Sequence, residues 1–384
     1  MAEDIGGDWA MIAAQLPGGW RELAVEMGAV RERYPAQLGA KVTDAETLLR
    51  VVLHHVAAGT SLRVAAAGAS AAGIVQLSAV ALHKRMRTVG PYLGALLARM
   101  TGAAAAFPAE RWAGYEIILV DASSVAAPGS DGTTARMHLA LRLADLKPVA
   151  IEVTDETGGE TFRNFDARPG QLWMGDRGYS NPPGIASVTD QGADVLVRYA
   201  RGSLPLYDAR GLPFDVPRRL AGLPHNGRAR EWPVWVRPRG HEPIRGRLCA
   251  LRLPAHKAAE ARERARREQG AAVTRETLAA AEFVVVFTTA DRLSADLVLE
   301  LYRLRWQVEL HFKRDKSLTG LDRLPNHRPD TVYSWMVAKL LAQELAWRVA
   351  SPQVAIPPCA ARHTRKAAGT QPARAAARRR APRR

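Results

Sequence analysis

Between residues 115 and 200 the hydrophobic pattern leaves few architectures open. YEIILVDASSVAAP (115–128) is a buried strand whose apolar part delivers Asp121 at its end. ARMHLALRL (135–143) alternates, and KPVAIEVTD (147–155) follows a turn at Asp145 to Pro148. Three strands with links this short make an antiparallel meander. TFRNFDAR then gives a helical turn, QLWMGDRGYS a short strand ending at Asp176, Asn181 the start of a helix to Gln191, and ADVLVRYA another strand. The order strand, strand, strand, helix, strand, helix, strand specifies a mixed α/β sheet.

The flanking segments read differently. Residues 1–108 are helical. Thr43-Asp44-Ala45-Glu46 has the form of a capping box, opening a helix that Gly59 ends. A second short helix starts near Ser61. After the Gly73 break, Ser78 caps AVALHKRMRTV, which carries His83, Lys84, Arg85 and Arg87. Short helices, a Gly break and a basic helix suggest a helix-turn-helix-like DNA reader. Pro108 marks a boundary. Residues 200–282 are rich in Pro and Gly, with short strands (EWPVWVRP, IRGRLCALRLP) and a charged helix (HKAAEARERARREQG), and read as an inserted β-rich subdomain. FVVVFTT is a strand leading into 294–320, a run without internal Gly or Pro that Ser294 can cap and that reads as one long helix. TVYSWMVAKLLAQELAWRV is one more amphipathic helix. From Pro357 on there is no apolar periodicity, and RAAARRRAPRR should be disordered. The expected organisation is a helical DNA-binding domain (1–108), a first part of a core (109–199), the insertion (200–282), a second part of the core (283–322), a C-terminal helix (323–350) and a basic tail (351–384).

Charge narrows the partners. With 54 Lys and Arg against 38 Asp and Glu, the chain carries +16, which favours a polyanion, nucleic acid first. No apolar run reaches the length of a membrane span. The acidic N-terminus lacks a signal-peptide pattern, and Cys249 and Cys359 cannot make a disulfide framework or a Cys-rich zinc site, so a reducing cytoplasm fits. No Gly-rich phosphate loop appears near a strand–helix junction, so ATP dependence is not expected. His54, His55, His138 and His311 are scattered and read as structural, and Trp306 is expected to pack against the sheet.

Two stripes run along 294–320. Leu297, Leu301, Leu304, Val308 and Phe312 form an apolar one. Tyr302, Arg305, Glu309 and Lys316 fall within roughly 60° of one another at about 100° per residue, so a phenol, two cations and a carboxylate share a face. Read alone, that face is a solvated surface with salt bridges between turns. Read alone, Asp121 or Asp176 is a turn former. Together they mean more. If the first and fourth strands are adjacent, both carboxylates emerge at one sheet edge, and a helix packed on that sheet can bring Glu309 beside them. Three carboxylates without a Cys or His cluster specify a hard cation with oxygen ligands, and two such ions about 4 Å apart can clamp the attacking and leaving oxygens of a phosphodiester.

The pattern Tyr302-x2-Arg305-x3-Glu309-x6-Lys316, with Asp121 in LVDASSV and Asp176 in MGDRGYS, resembles the Tyr–Arg–Glu–Lys signature of bacterial insertion-sequence DDE transposases of the fourth family, relatives of the cut-and-paste Tn-five type. The likeness covers roughly residues 45 to 348. It implies a ribonuclease H-like α/β core with an inserted β-rich subdomain. It further implies two Mg²⁺ ions, with Mn²⁺ as substitute, on Asp121, Asp176 and Glu309. DNA contacts would come from Tyr302, Arg305 and Lys316, and base stacking from Trp232 or Trp235. The implied partners are terminal inverted repeats and target DNA, met by a homodimer in a synaptic complex, cytoplasmic and nucleoid-associated. Two rival readings are a non-catalytic or decayed transposase derivative that only binds DNA, and another ribonuclease H-like nuclease.

Overall fold

The computed structural model describes residues 5–31, 42–101, 112–127, 129–224, 227–314, 316, 319–321, 323–326 and 328–350. The expected tail, Cys359 and the Pro108 boundary lie outside them. Among the described residues six helices come first: α1 (Ile5–Ala13), α2 (Trp20–Glu26), α3 (Ala45–Ala58), α4 (Leu62–Ala71), α5 (Ala79–Thr88) and α6 (Gly90–Thr101). Their starts follow side-chain chemistry. Asp44, not Thr43, caps α3 by accepting from the Thr47 amide. Ser61 caps α4, and Ser78 caps α5. Gly59 closes α3 in the left-handed conformation at φ 60°. Two of the four basic residues on α5 are tied down within the fold: Arg85 donates to the Val42 carbonyl and Arg87 pairs with Asp330.

The sheet begins with β1 (Glu116–Val125), β2 (Ala135–Arg142) and β3 (Pro148–Asp155), the expected meander. β4 (Gln171–Gly175), α7 (Pro182–Thr189) and β5 (Asp194–Arg198) follow, with Asn181 capping α7. Then come α8 (Val216–Ala221), β6 (Arg230–Val236), β7 (Ile244–Arg252), α9 (Ala255–Gln269), α10 (Arg275–Ala280) and β8 (Phe283–Thr288). All eight strands form one mixed sheet in the order β3-β2-β1-β4-β5-β8-β7-β6. β1, β4 and β5 are parallel neighbours, so the first and fourth strands are adjacent. β6 and β7, from the 200–282 region, extend this sheet through β8 and do not build a sheet of their own.

Residues 294–320 are not one helix. α11 (Ala295–Tyr302), capped by Ser294, gives way to a 3₁₀ turn at Arg303–Arg305 and then to α12 (Trp306–Arg314). The local sequence favours continuity, and tertiary docking overrides it: α11 packs on β7 and β8, whereas α12 packs across the sheet on β1. The tightened turn steps the helix from one set of strands to the other. α13 (Pro329–Ala350) closes the chain's described part.

Two cores flank the sheet. Ile117 and Leu119 of β1, Leu172 and Met174 of β4 and Leu196 of β5 face α11, α12, α13 and the N-terminal helices. Ile118, Val120, Trp173, Val195 and Val197 face the opposite way, toward α7 and α8. This strict alternation of β-branched and aliphatic residues fixes which side chains of β1 and β4 meet α12. Among the described residues, no helix is long and apolar enough to cross a membrane.

Candidate active site

Asp121 follows Leu119 by two along β1, so alternation points it to the α12 face. It does not end its strand, because β1 runs on to Val125 against β2. What stops is the pairing with β4. That strand has five residues, and the parallel ladder closes at Leu119 opposite Met174. Asp121 therefore sits two residues past the last pair of the β1–β4 ladder, as Asp176, directly after β4, sits two past Met174. The Ala122 amide donates to Asp121 Oδ1 at 2.9 Å, and the Gly178 amide donates to Asp176 Oδ1 at 2.8 Å. Burial pushes Asp121 up to about 7, with Asp176 and Glu160 adding to the rise against the Ala122 amide and Arg305.

Glu160 carries no motif of its own in the sequence. It lies on the loop between β3 and β4, half-buried, and burial together with Asp176 holds its carboxyl above the usual range, against Arg136 and Arg305. Glu309, on α12, instead faces Arg305 one turn earlier and pairs with it; its side chain is 44% exposed and that of Arg305 is 18% exposed. Among the described residues, no three Asp, Glu, His or Cys side chains converge as a ready cage for a metal ion. The donor set at the strand ends is nonetheless oxygen-only. A hard divalent cation needs just one or two carboxylates there, its other ligands being water and phosphate oxygens.

A cationic arc stands opposite the acids. Tyr302 is 7% exposed and lies within electrostatic reach of Arg305, Arg198 and Asp176. Arg198 ends β5 one step past the Gly175–Val197 pair, which brings it alongside Asp176. Its guanidinium is held below the ordinary arginine range by burial and by the like charges of Arg177, Arg305 and Arg264, the last reaching in from α9. Crowded cations of this kind suit a phosphate. Register could have flagged Arg198, since it stands to Val197 as Asp176 stands to Gly175. Lys316 is half-buried beyond α12, its carbonyl accepting from the Gly320 amide at 3.1 Å.

The aromatic residues fall otherwise than expected. Trp306 does not pack against the sheet; it is 49% exposed, immediately after Arg305, because the 3₁₀ turn rotates it outward. Trp232 and Trp235 are half-buried on β6. His55 and His138 are core residues, each lowered to about 4, chiefly by burial. His55 lies edge-on to Trp335, and His138 bonds Thr154.

Residues 112–345 match the family described as "Transposase DDE domain". The chain is 34% identical over 336 residues to InsL of insertion sequence element IS186A from Escherichia coli K12, a protein named as a transposase, covering 85% of this chain and 90% of the relative. It is likewise 34% identical over 337 residues to the transposase for insertion sequence element IS421 of Escherichia coli, with the same coverage.

Proposed function

Since this chain belongs to the DDE-domain transposases of bacterial insertion sequences, we propose that Asp121, Asp176 and Glu309 are its catalytic acids and that it falls in the fourth, Tyr–Arg–Glu–Lys group of that family. The protein is a DNA transposase. It cleaves at the ends of an insertion sequence and joins the freed ends to target DNA. The observation that carries the assignment of acids is the pair of carboxylates on neighbouring parallel strands, on the face covered by α12, with Arg305 in reach.

Asp121, Asp176 and Glu309 would hold two Mg²⁺ ions, or Mn²⁺ in their place, which when bound lower the pKa of the attacking water and neutralise charge on the scissile phosphate. The raised pKa of Asp121 supports this, because a cation there removes the repulsion that burial aggravates. Arg305, Arg198 and Lys316 orient phosphates beside the acids, and Tyr302 is placed to hydrogen-bond at the DNA end. A phosphate arriving at Arg305 competes with Glu309 for the same guanidinium, so DNA entry releases Glu309 toward the two aspartates. Trp306, exposed beside Arg305, offers a face on which an unpaired base can stack, with Trp232 and Trp235 farther off on β6. The substrates in this reading are terminal inverted repeats and target duplex, brought together by a homodimer.

The test is strand nicking with Mg²⁺ on terminal-repeat DNA. Asp121→Ala, Asp176→Ala and Glu309→Ala should each abolish nicking while duplex binding persists. Robust nicking by any one of them removes that residue from the site.

A further inference from the structure

The acid that lies with Asp121 and Asp176 is Glu160, and its position is built rather than incidental. Three contacts interlock its loop with the turn after β4. The Asn181 side-chain amide donates both to the Glu160 carbonyl, at 3.3 Å, and to the Gly178 carbonyl, at 3.2 Å. The Phe162 ring lies 5.1 Å from the Tyr179 ring. The Glu160 carboxylate is laid over Gly178 so closely that a Cβ there would meet Oε2 at 1.7 Å. Glycine at 178 is thus needed for close approach, not for an unusual backbone angle. The same Gly178 fixes Asp176 through its amide. One residue therefore seats two carboxylates side by side.

Among the described residues, Glu160 has no ion-pair partner. Arg136, the cation that acts most on Glu160, spends Nη1 on the Gly158 carbonyl at 2.7 Å. A second, independent observation points to a ligand. Tyr179 is 0% exposed, its hydroxyl has no hydrogen-bond partner among the described residues, and it lies within electrostatic reach of Asp121, Glu160 and Asp176. Buried phenol hydroxyls usually find a partner, and this one has none while three carboxylates and Arg136 act on it. A hydrated cation would satisfy the acids and the hydroxyl together.

We propose that Glu160 is a positioning residue of the catalytic centre, supplying the third negative charge of a divalent-cation seat at Asp121 and Asp176, with the unpartnered Tyr179 hydroxyl beneath the same loop turn as a further oxygen. The inference rests on the reading above that Asp121 and Asp176 hold a divalent cation. It adds that the seat is charged for that cation while Glu309 is still engaged by Arg305.

The experiment is Mn²⁺ binding to the full chain without DNA, followed by electron paramagnetic resonance of free Mn²⁺. Wild type is compared with Glu160→Gln, Glu160→Ala, Glu160→Asp, Gly178→Ala, Asp121→Asn and, as an exposed acid on the same loop, Glu156→Gln. Thermal melting of each variant in chelator is the check on folding. Glu160→Gln should weaken Mn²⁺ binding about tenfold or more at an unchanged melting temperature, the usual effect of losing a supporting group around a metal. Gly178→Ala, which shifts the Glu160 carboxylate and the amide that holds Asp176 together, should do likewise; Glu160→Ala, which spares that amide, decides the matter if Glu160→Gln folds poorly. Glu160→Asp should recover part of the loss, and Glu156→Gln should match wild type. If Glu160→Gln and Glu160→Ala both bind within twofold of wild type while Asp121→Asn is weakened, Glu160 has no part in the seat and the aspartate reading stands. If wild type binds no better than Asp121→Asn, both readings fall.

Discussion

Asp121→Asn should make the protein more stable, and only above acidic pH. The folded pKa of about 7 exceeds the ordinary value of 3.8, mainly through burial. Between about pH 4 and 7 the folded chain therefore holds a proton that the unfolded chain has released. Stability falls as pH rises through that window, since the unfolded state binds fewer protons there. The interval from 3.8 to about 7 is worth about 4 kcal/mol for a fully desolvated group. Solvent reaches this half-buried carboxylate, which leaves about 1–2 kcal/mol. Asparagine is nearly isosteric, keeps an acceptor for the Ala122 amide and carries no charge to desolvate. Thermal unfolding in chelator should show Asp121→Asn melting about 2–5 °C above wild type at pH 8 and level with it at pH 4. Mg²⁺ should then largely close the gap. A ligand at ten times its Kd adds about 1.4 kcal/mol to wild type, and the variant lacks the ligand that earns that gain. A variant that melts below wild type at pH 8, or whose difference is the same at both pH values, would refute the claim that burial and neighbouring acids strain this carboxylate.

Two further expectations concern DNA. Arg305→Ala and Lys316→Ala should each lower cleavage and joining at terminal-repeat DNA about tenfold to a hundredfold, the loss of a charge-assisted phosphate contact, and far more than on scrambled duplex; Arg305→Lys should also be poor, because a point charge does not replace the planar fork. Equal losses on both substrates would point to a generic nuclease surface. With a net charge of +16, affinity for non-specific duplex should fall steeply with salt, and removing residues 357–384 should flatten that dependence; an unchanged slope assigns the phosphate contacts to the folded part of the chain.

What the sequence made legible was mostly what local chemistry decides. Ser61, Ser78, Asn181 and Ser294 cap helices because their side chains reach amides three residues on, whatever the rest of the chain does. The meander followed from strand order, whereas the adjacency of β1 and β4, on which the approach of Asp121 to Asp176 depends, was only a condition there and is supplied by the sheet order. The expected continuity of 294–320 fails for a reason no propensity carries: its halves dock on strands that lie far apart in the sheet order. Trp306 was misplaced with it, since a 3₁₀ step turns every later side chain. Glu160 sits in a polar loop, DETGGET, that reads as a link. Its importance appears only when Gly178, eighteen residues away, is seen to leave room for its carboxylate.

α13 has one consequence beyond packing. Val332, Trp335, Met336, Leu340 and Leu341 are buried in the same core as Leu48, Val52, Leu82 and Leu93 of the first helices. Helices that precede the sheet in the chain therefore wait for one that follows it to cover them. Until residues 329–350 have left the ribosome, α3, α5 and α6 have an apolar side with no lid, and a product stopped short of them inherits that defect permanently. Any basic surface the front of the chain offers to DNA thus comes into its settled shape together with the catalytic sheet, which makes the whole molecule, rather than an early fragment, the unit that meets its substrate.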